Sequence, residues 1–216
     1  MSNEISLKET ERKVFKAAFQ DGLVDIGIGG FLLVFAIGPF VTPYLGDFWA
    51  TIVIFLPLWV IVFPALGLIR KYVVTPRVGV VKYGPWRVSR MRRFNFVILI
   101  VLVFSLILGI LSAVEFDAVP GWIHAARFSL VFLLAFSIAA NFLDFTRLYV
   151  YGAVVALAPL IGEVLYQYLN VPHHGFAVTF GLPAVLIIIT GVVRFIRFLR
   201  DHPLQAGNVE SMGRVE

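Results

Sequence analysis

The sequence contains no cysteine and few charged residues, and both shortages narrow what the chain can be. Of its 216 residues only 14% are charged and 60% are hydrophobic, whereas soluble domains average about 25% charged and about 45–50% apolar residues. The lack of cysteine excludes disulfides and thiolate chemistry. The composition therefore excludes an ordinary soluble domain and predicts a membrane protein.

Short segments of alternating hydrophobicity, which mark a transmembrane barrel, are also missing. The apolar residues instead form continuous runs of about 20 residues, long enough for a helix to cross a hydrocarbon core of about 30 Å. We therefore predict an all-α integral membrane protein, a bundle of six transmembrane helices. The predicted spans cover residues 22–40, 48–69, 94–114, 125–142, 148–169 and 176–198.

The segments between and around the spans have distinct compositions. Ser6 and Glu9 have capping-box spacing, which predicts an amphipathic helix on the cytoplasmic side near the N-terminus. A β-branched stretch around Pro76-Arg77-Val78-Gly79 predicts a short β-hairpin over residues 72–83. The predicted organisation is an N-terminal amphipathic segment 1–21, three transmembrane hairpins 22–69, 94–142 and 143–198, a basic cytoplasmic loop 70–93, and a flexible cytoplasmic tail 199–216.

Positive charge is distributed unevenly along the chain. With six spans and a cytoplasmic N-terminus, 17 of the 18 lysines and arginines fall on the cytoplasmic side, and Arg127 alone falls outside. Eight of them lie in residues 70–93, which contain no acidic residue. Because basic residues accumulate on the cytoplasmic side of membrane proteins, we predict a multi-pass protein of the cell inner membrane with both termini cytoplasmic.

The first and last hairpins share sequence features. Both begin after Phe-x-Asp, ending at Asp21 and Asp144, and both end with Gly-x-x-Arg, at Arg70 and Arg194. Internal repeats of this kind occur in transporter folds. Duplication of the two hairpins is one interpretation, and coincidence between two apolar hairpins is the other.

Ionisable and amide side chains inside the spans are costly and normally face a partner or a cavity. Arg127 and Glu163 lie 18 residues on either side of Phe145, so both should reach the same depth, and we predict a salt bridge between them. The full set of intramembrane polar candidates is Asp25, Arg127, Asn141, Asp144 and Glu163.

Two further groups of residues indicate contacts with other helices and with lipid. Gly27, Gly29 and Gly30 form a cluster that lets another helix approach closely. The basic segment indicates contact with anionic lipid headgroups, and docking of a cytoplasmic partner is the alternative. The predicted headgroup contacts are Arg70, Lys71, Arg77, Lys82, Arg87, Arg90, Arg92 and Arg93.

Catalytic signatures such as Gly-x-Ser-x-Gly, His-Glu-x-x-His or a phosphate-binding glycine loop do not occur. We therefore expect a non-enzymatic membrane component without cofactor or metal, which associates with itself or with a membrane-protein partner and does not bind nucleic acid. One alternative is a small transporter or channel with a polar path near Asp25, Asn141 and Glu163. The other is a membrane-embedded enzyme that acts on lipid.

Overall fold

The computed structural model describes residues 20–78, 84–115, 118–171 and 175–203. These residues form six helices long and apolar enough to cross a membrane, and none of the described ranges contains a strand. The six predicted spans and the helical fold class are confirmed. The helices, in chain order, are α1 (Leu23–Gly46), α2 (Trp49–Val78), α3 (Pro85–Val114), α4 (Gly121–Leu143), α5 (Arg147–Leu169) and α6 (Phe176–Asp201).

The basic segment between the second and third spans is mostly helical. α2 continues to Val78 and α3 already begins at Pro85, so the predicted strand over residues 72–78 is wrong. Residues 79–83, which include Lys82 and the rest of the predicted hairpin, lie outside the described residues. The β-branched residues of this segment favour a strand, but extending an existing helix is easier than forming an isolated hairpin.

α2 passes through two turns of π-helix, Leu58–Val62 and Arg70–Val74. The first follows Pro57 and the second precedes Pro76, and proline supplies no N–H to the helix. Near Pro76 two side chains also donate to backbone carbonyls of the helix: Thr75 Oγ1 donates to Arg70 O at 2.9 Å, and the Arg77 guanidinium donates to Val73 O. The helix thus continues past its prolines.

The described residues divide into two compact units. The first contains residues 20–34, which include the start of α1, residues 40–78 and the last part of α6 from Ala184. Here α1 packs closely on α6: a Cβ placed on Gly29 would lie 2.8 Å from Ala184 O, and one on Gly191 would lie 2.8 Å from Gly22 O. Gly22 also has φ +82°, so its conformation and its contact both require glycine.

α2 covers a neighbouring part of α1 within this first unit. A Cβ on Gly27 would lie 3.3 Å from Leu66 Cδ1, and the rings of Phe31 and Phe55 pack edge to face with centroids 6.4 Å apart. Gly30 faces Leu58 with more space. The structure therefore places the glycine cluster of the first span between helices of the same chain.

The second unit contains α3, α4, α5, the start of α6 and residues 35–39 of α1. α4 and α5 approach closely at Gly152, where a Cβ would overlap the side chain of Phe136. Phe35 stacks on Phe180 at 5.1 Å and contacts Phe132 edge to face at 5.9 Å. This aromatic cluster and the α4–α5 hairpin form the core of the unit.

The contacts do not follow the sequence repeat. Asp21 pairs with Arg70, but the corresponding Asp144 pairs with arginines of α3. Gly191 packs against α1, whereas the corresponding Gly67 has open space around it.

The predicted amphipathic N-terminal helix and most of the C-terminal tail lie outside the described residues.

Candidate functional site

The turn between α4 and α5 places a carboxylate in the second unit. Asp144 adopts the left-handed conformation, φ 51° and ψ 35°, at the end of α4. Phe145 N–H donates to Ala140 O at 3.1 Å across this turn, which satisfies a carbonyl that the helix end leaves without a donor. The turn holds the Asp144 side chain beside the start of α3.

Two arginines from the first turns of α3 bind this carboxylate. Arg87 Nη1 donates to Asp144 Oδ2 at 2.9 Å, and Arg90 Nη1 lies 3.2 Å from the same oxygen. Arg90 also donates to Asn141 O and lies over the Trp86 ring, 5.6 Å from its centroid. Arg87 and Arg90 are three residues apart and share one helix face.

Burial separates these two arginines from the other basic residues. The Arg87 side chain is 0% exposed and that of Asp144 is 5% exposed, while Arg90 is 18% exposed. Arg87 therefore lies inside the bundle and does not face lipid headgroups as the sequence predicted. A buried charge of this kind is tolerated because it is paired and hydrogen-bonded.

The start of α1 places two aspartates in the first unit. Asp21 Oδ1 accepts from Leu23 N–H at 3.0 Å, and Asp21 Oδ2 lies 3.6 Å from Arg70 Nη2. Asp21 is 1% exposed, and Asp25, one turn further along, is 0% exposed. A carboxylate near the first turn of a helix also interacts favourably with the free N–H groups there.

Glu163 lies against the first residue of α4. A Cβ on Gly121 would overlap the Glu163 carboxylate, and Gln167 Nε2 donates to Glu163 Oε1 at 2.7 Å. Glu163 is 6% exposed. The positive end of the α4 dipole and the Gln167 amide therefore stabilise this carboxylate. The contact between Glu163 and Gly121 could not be predicted from the sequence, where only the glycine itself indicates a close approach.

The predicted salt bridge between Arg127 and Glu163 is wrong. Arg127 Nη2 lies 2.7 Å from Glu115 Oε2, and Arg127 Nη1 donates to Ser112 Oγ at 3.4 Å. Matching depth was not sufficient, because Gly121 and Arg127 are six residues apart and so point about 120° apart around α4. The Gly121 side of α4 meets Glu163, and the Arg127 side meets α3.

The polar groups do not assemble into a metal centre: in the described parts of the chain, no three histidines or acidic residues lie close enough together to hold a metal ion. Comparisons with protein-family models, with curated proteins and with solved structures find no match for this chain. We therefore infer the function from the contacts of the polar residues themselves.

Proposed function

We propose that this protein is a non-enzymatic component of the cell inner membrane that acts by association within the bilayer. The observation that carries the proposal is the Arg87–Asp144 pair, a 2.9 Å contact between side chains that are 0% and 5% exposed. Its charges neutralise each other inside the bundle. Paired in this way, neither group is exposed to bind a transported ion or a substrate.

The other intramembrane acids have equally enclosed positions. Asp25 is fully buried in the first turn of α1, and the Glu163 carboxylate lies between Gly121 and Gln167. Groups that line a conduction path normally face a water-filled cavity. These positions favour a structural role over the transporter alternative.

The positions of the basic residues also weigh against a lipid-acting enzyme. Arg87 and Arg90 bind Asp144, and the Arg77 guanidinium donates to the Val73 carbonyl of its own helix. A phosphate-binding pocket would need several guanidinium groups directed at the same empty space. The three arginines of α2 and α3 best placed for such a pocket are engaged elsewhere.

We further propose that both termini are cytoplasmic and that the remaining basic residues contact anionic headgroups. Arg92 and Arg93 are exposed at the start of α3. Arg194, Arg197 and Arg200 recur every three residues at the end of α6, and no described residue forms an ion pair with them. Each basic residue near an anionic leaflet contributes about 1 kcal/mol of attraction. Anionic phospholipid should therefore co-purify with the protein, and less of it should be retained when the three α6 arginines are replaced by glutamine.

A flux assay tests the proposed function. The purified protein is reconstituted into liposomes, and proton, sodium and potassium fluxes are compared with those of protein-free liposomes. We expect the ion fluxes of the two kinds of liposome to be equal. Flux that Asp25→Asn or Glu163→Gln abolishes, and that the exposed-site control Asp201→Asn retains, would overturn it in favour of a transporter.

A further inference from the structure

The outer face of α2 carries a tryptophan at an unusual depth. Trp59 lies ten residues after Trp49 and eleven before Arg70, so about 15–17 Å of helix separates it from either end of the apolar stretch. Its side chain is 61% exposed. Tryptophan in membrane proteins concentrates at the interfaces, where its N–H reaches water or headgroups. At the bilayer midplane hydrocarbon offers no acceptor.

The contacts of Trp59 leave this donor available. Its ring packs on Phe63 with centroids 5.0 Å apart, and no described residue accepts its indole N–H. A polar group without a hydrogen-bond partner in hydrocarbon is costly. The exposed position therefore indicates a partner outside this chain.

The same face also carries acceptors. Pro57 and Pro64 are exposed on α2 and supply no N–H, so the turns that precede them each lack one helical donor. Four residues before Pro57, on the same side of the helix, lies Val53, which is exposed. Between the two prolines, Leu58–Val62 forms a π-helical turn in which Phe63 N–H donates five residues back, to Leu58 O. In this register the carbonyl that Pro64 leaves without a donor is that of Trp59, next to the exposed Val60. The outer face thus combines an unused donor with carbonyl groups that lack their usual donors.

We infer that two copies of this chain associate side by side through the outer face of α2. In a two-fold arrangement about the membrane normal, both copies present the same groups at the same depth. The Trp59 N–H of each copy then donates to a carbonyl freed by proline in the other. The outer face carries both the donor and the acceptors of this hydrogen bond, so a second copy can satisfy both, whereas a lipid chain can satisfy neither. It consists of Val53, Leu56, Trp59, Val60, Pro64 and Gly67.

The surface of α2 also permits close approach. Gly67 is exposed, and no described atom beyond its own helical turn lies within 4 Å of the position a Cβ would occupy there. Small residues of this kind let two transmembrane helices approach closely. The glycine cluster of α1, by contrast, is covered by α2 and α6. This inference rests on the proposed function, because it names a second copy as the associating partner.

Cysteine crosslinking in native membranes tests the interface, since the chain has no cysteine of its own. A disulfide requires Cα atoms within about 7 Å. Val60→Cys on α2, 62% exposed, should form a disulfide-linked homodimer on oxidation, whereas Leu102→Cys on α3, 60% exposed, should not. Equal crosslinking at both positions would indicate random collision and would overturn the inference. A disulfide between Val60→Cys and a different protein, without a homodimer, would overturn it as well.

A second variant isolates the hydrogen bond. Trp59→Phe keeps an aromatic ring but removes the N–H, and it should raise the dimer dissociation constant in lipid bilayers about tenfold, because two interhelical hydrogen bonds are lost. Trp122→Phe is the control, since Trp122 is 57% exposed at the start of α4 and lies outside the interface. An unchanged dissociation constant for Trp59→Phe overturns the inferred hydrogen bonds.

The dimer and the proposed function fail separately. Wild-type protein that is monomeric in bilayers by single-molecule photobleaching, yet produces no flux, refutes the α2 dimer and leaves the non-enzymatic, non-transporting assignment in place. Flux that depends on Asp25 or Glu163 refutes the proposed function whatever the oligomeric state.

Discussion

The guanidinium of Arg87 lies 2.9 Å from the carboxylate of Asp144, and the two side chains are 0% and 5% exposed. The two residues are 57 positions apart in the chain. Their contact joins the start of α3 to the turn between α4 and α5. It therefore fastens the open end of the α3–α4 hairpin at the point where α5 follows.

Breaking this pair should destabilise the protein strongly. Asp144→Asn keeps a residue that tolerates the left-handed conformation but leaves the buried Arg87 without its counter-charge. Loss of one partner of a buried ion pair costs about 3–5 kcal/mol. Unfolding of the purified protein in detergent, followed by circular dichroism, measures the effect. Asp201→Asn, at an exposed position, should leave unfolding unchanged, and wild-type stability of Asp144→Asn would contradict a structural role for the pair.

The partner of Arg127 can be assigned by double-mutant cycles. Arg127→Gln and Glu115→Gln should show a coupling free energy of up to about 1 kcal/mol. The value is small because both side chains are partly exposed to solvent. Arg127→Gln and Glu163→Gln should be additive within about 0.5 kcal/mol, because they share no contact. Unfolding free energies of the single and double variants provide the measurement. Strong coupling to Glu163 instead would restore the salt bridge predicted from sequence.

A side chain at position 121 should destabilise the folded protein while Glu163 is present. Gly121→Ala places a Cβ where the Glu163 carboxylate lies, and overpacking of this kind costs about 1–3 kcal/mol. In a Glu163→Ala background the same substitution should cost much less. Gly109→Ala is the matched control, because no described atom beyond its own helical turn lies within 4 Å of the added Cβ, and it should be neutral or stabilising by up to about 1 kcal/mol. Equal costs in both backgrounds would contradict the contact.

The orientation that we propose from the charge distribution can be tested by labelling single cysteines. Ser89 lies at the start of α3, and Ala118 lies between α3 and α4. A membrane-impermeant maleimide applied to intact cells should label Ala118→Cys directly and Ser89→Cys only after permeabilisation. The reverse pattern would invert the topology and move the arginines of α3 and α6 to the outer side.

The sequence predicted well the properties that depend on nearby residues. Apolar length marks a spanning helix, so the six spans were found, although α2 and α3 extend further into the basic segment than predicted. The sequence also singled out Asp25, Asp144 and Glu163 as polar groups in apolar surroundings. It did not identify their partners, and it assigned Arg87 to the surface.

The sequence by itself determined that this chain forms six apolar helices, because hydrophobicity and backbone hydrogen bonding are settled within each segment. The tertiary structure alone decided which side of each helix faces which neighbour. A residue's depth follows from counting along the chain, but its direction depends on the rotation of the helix, which is set by packing. For that reason Asp144 meets Arg87, Glu163 meets Gly121, and Trp59 remains on the outside.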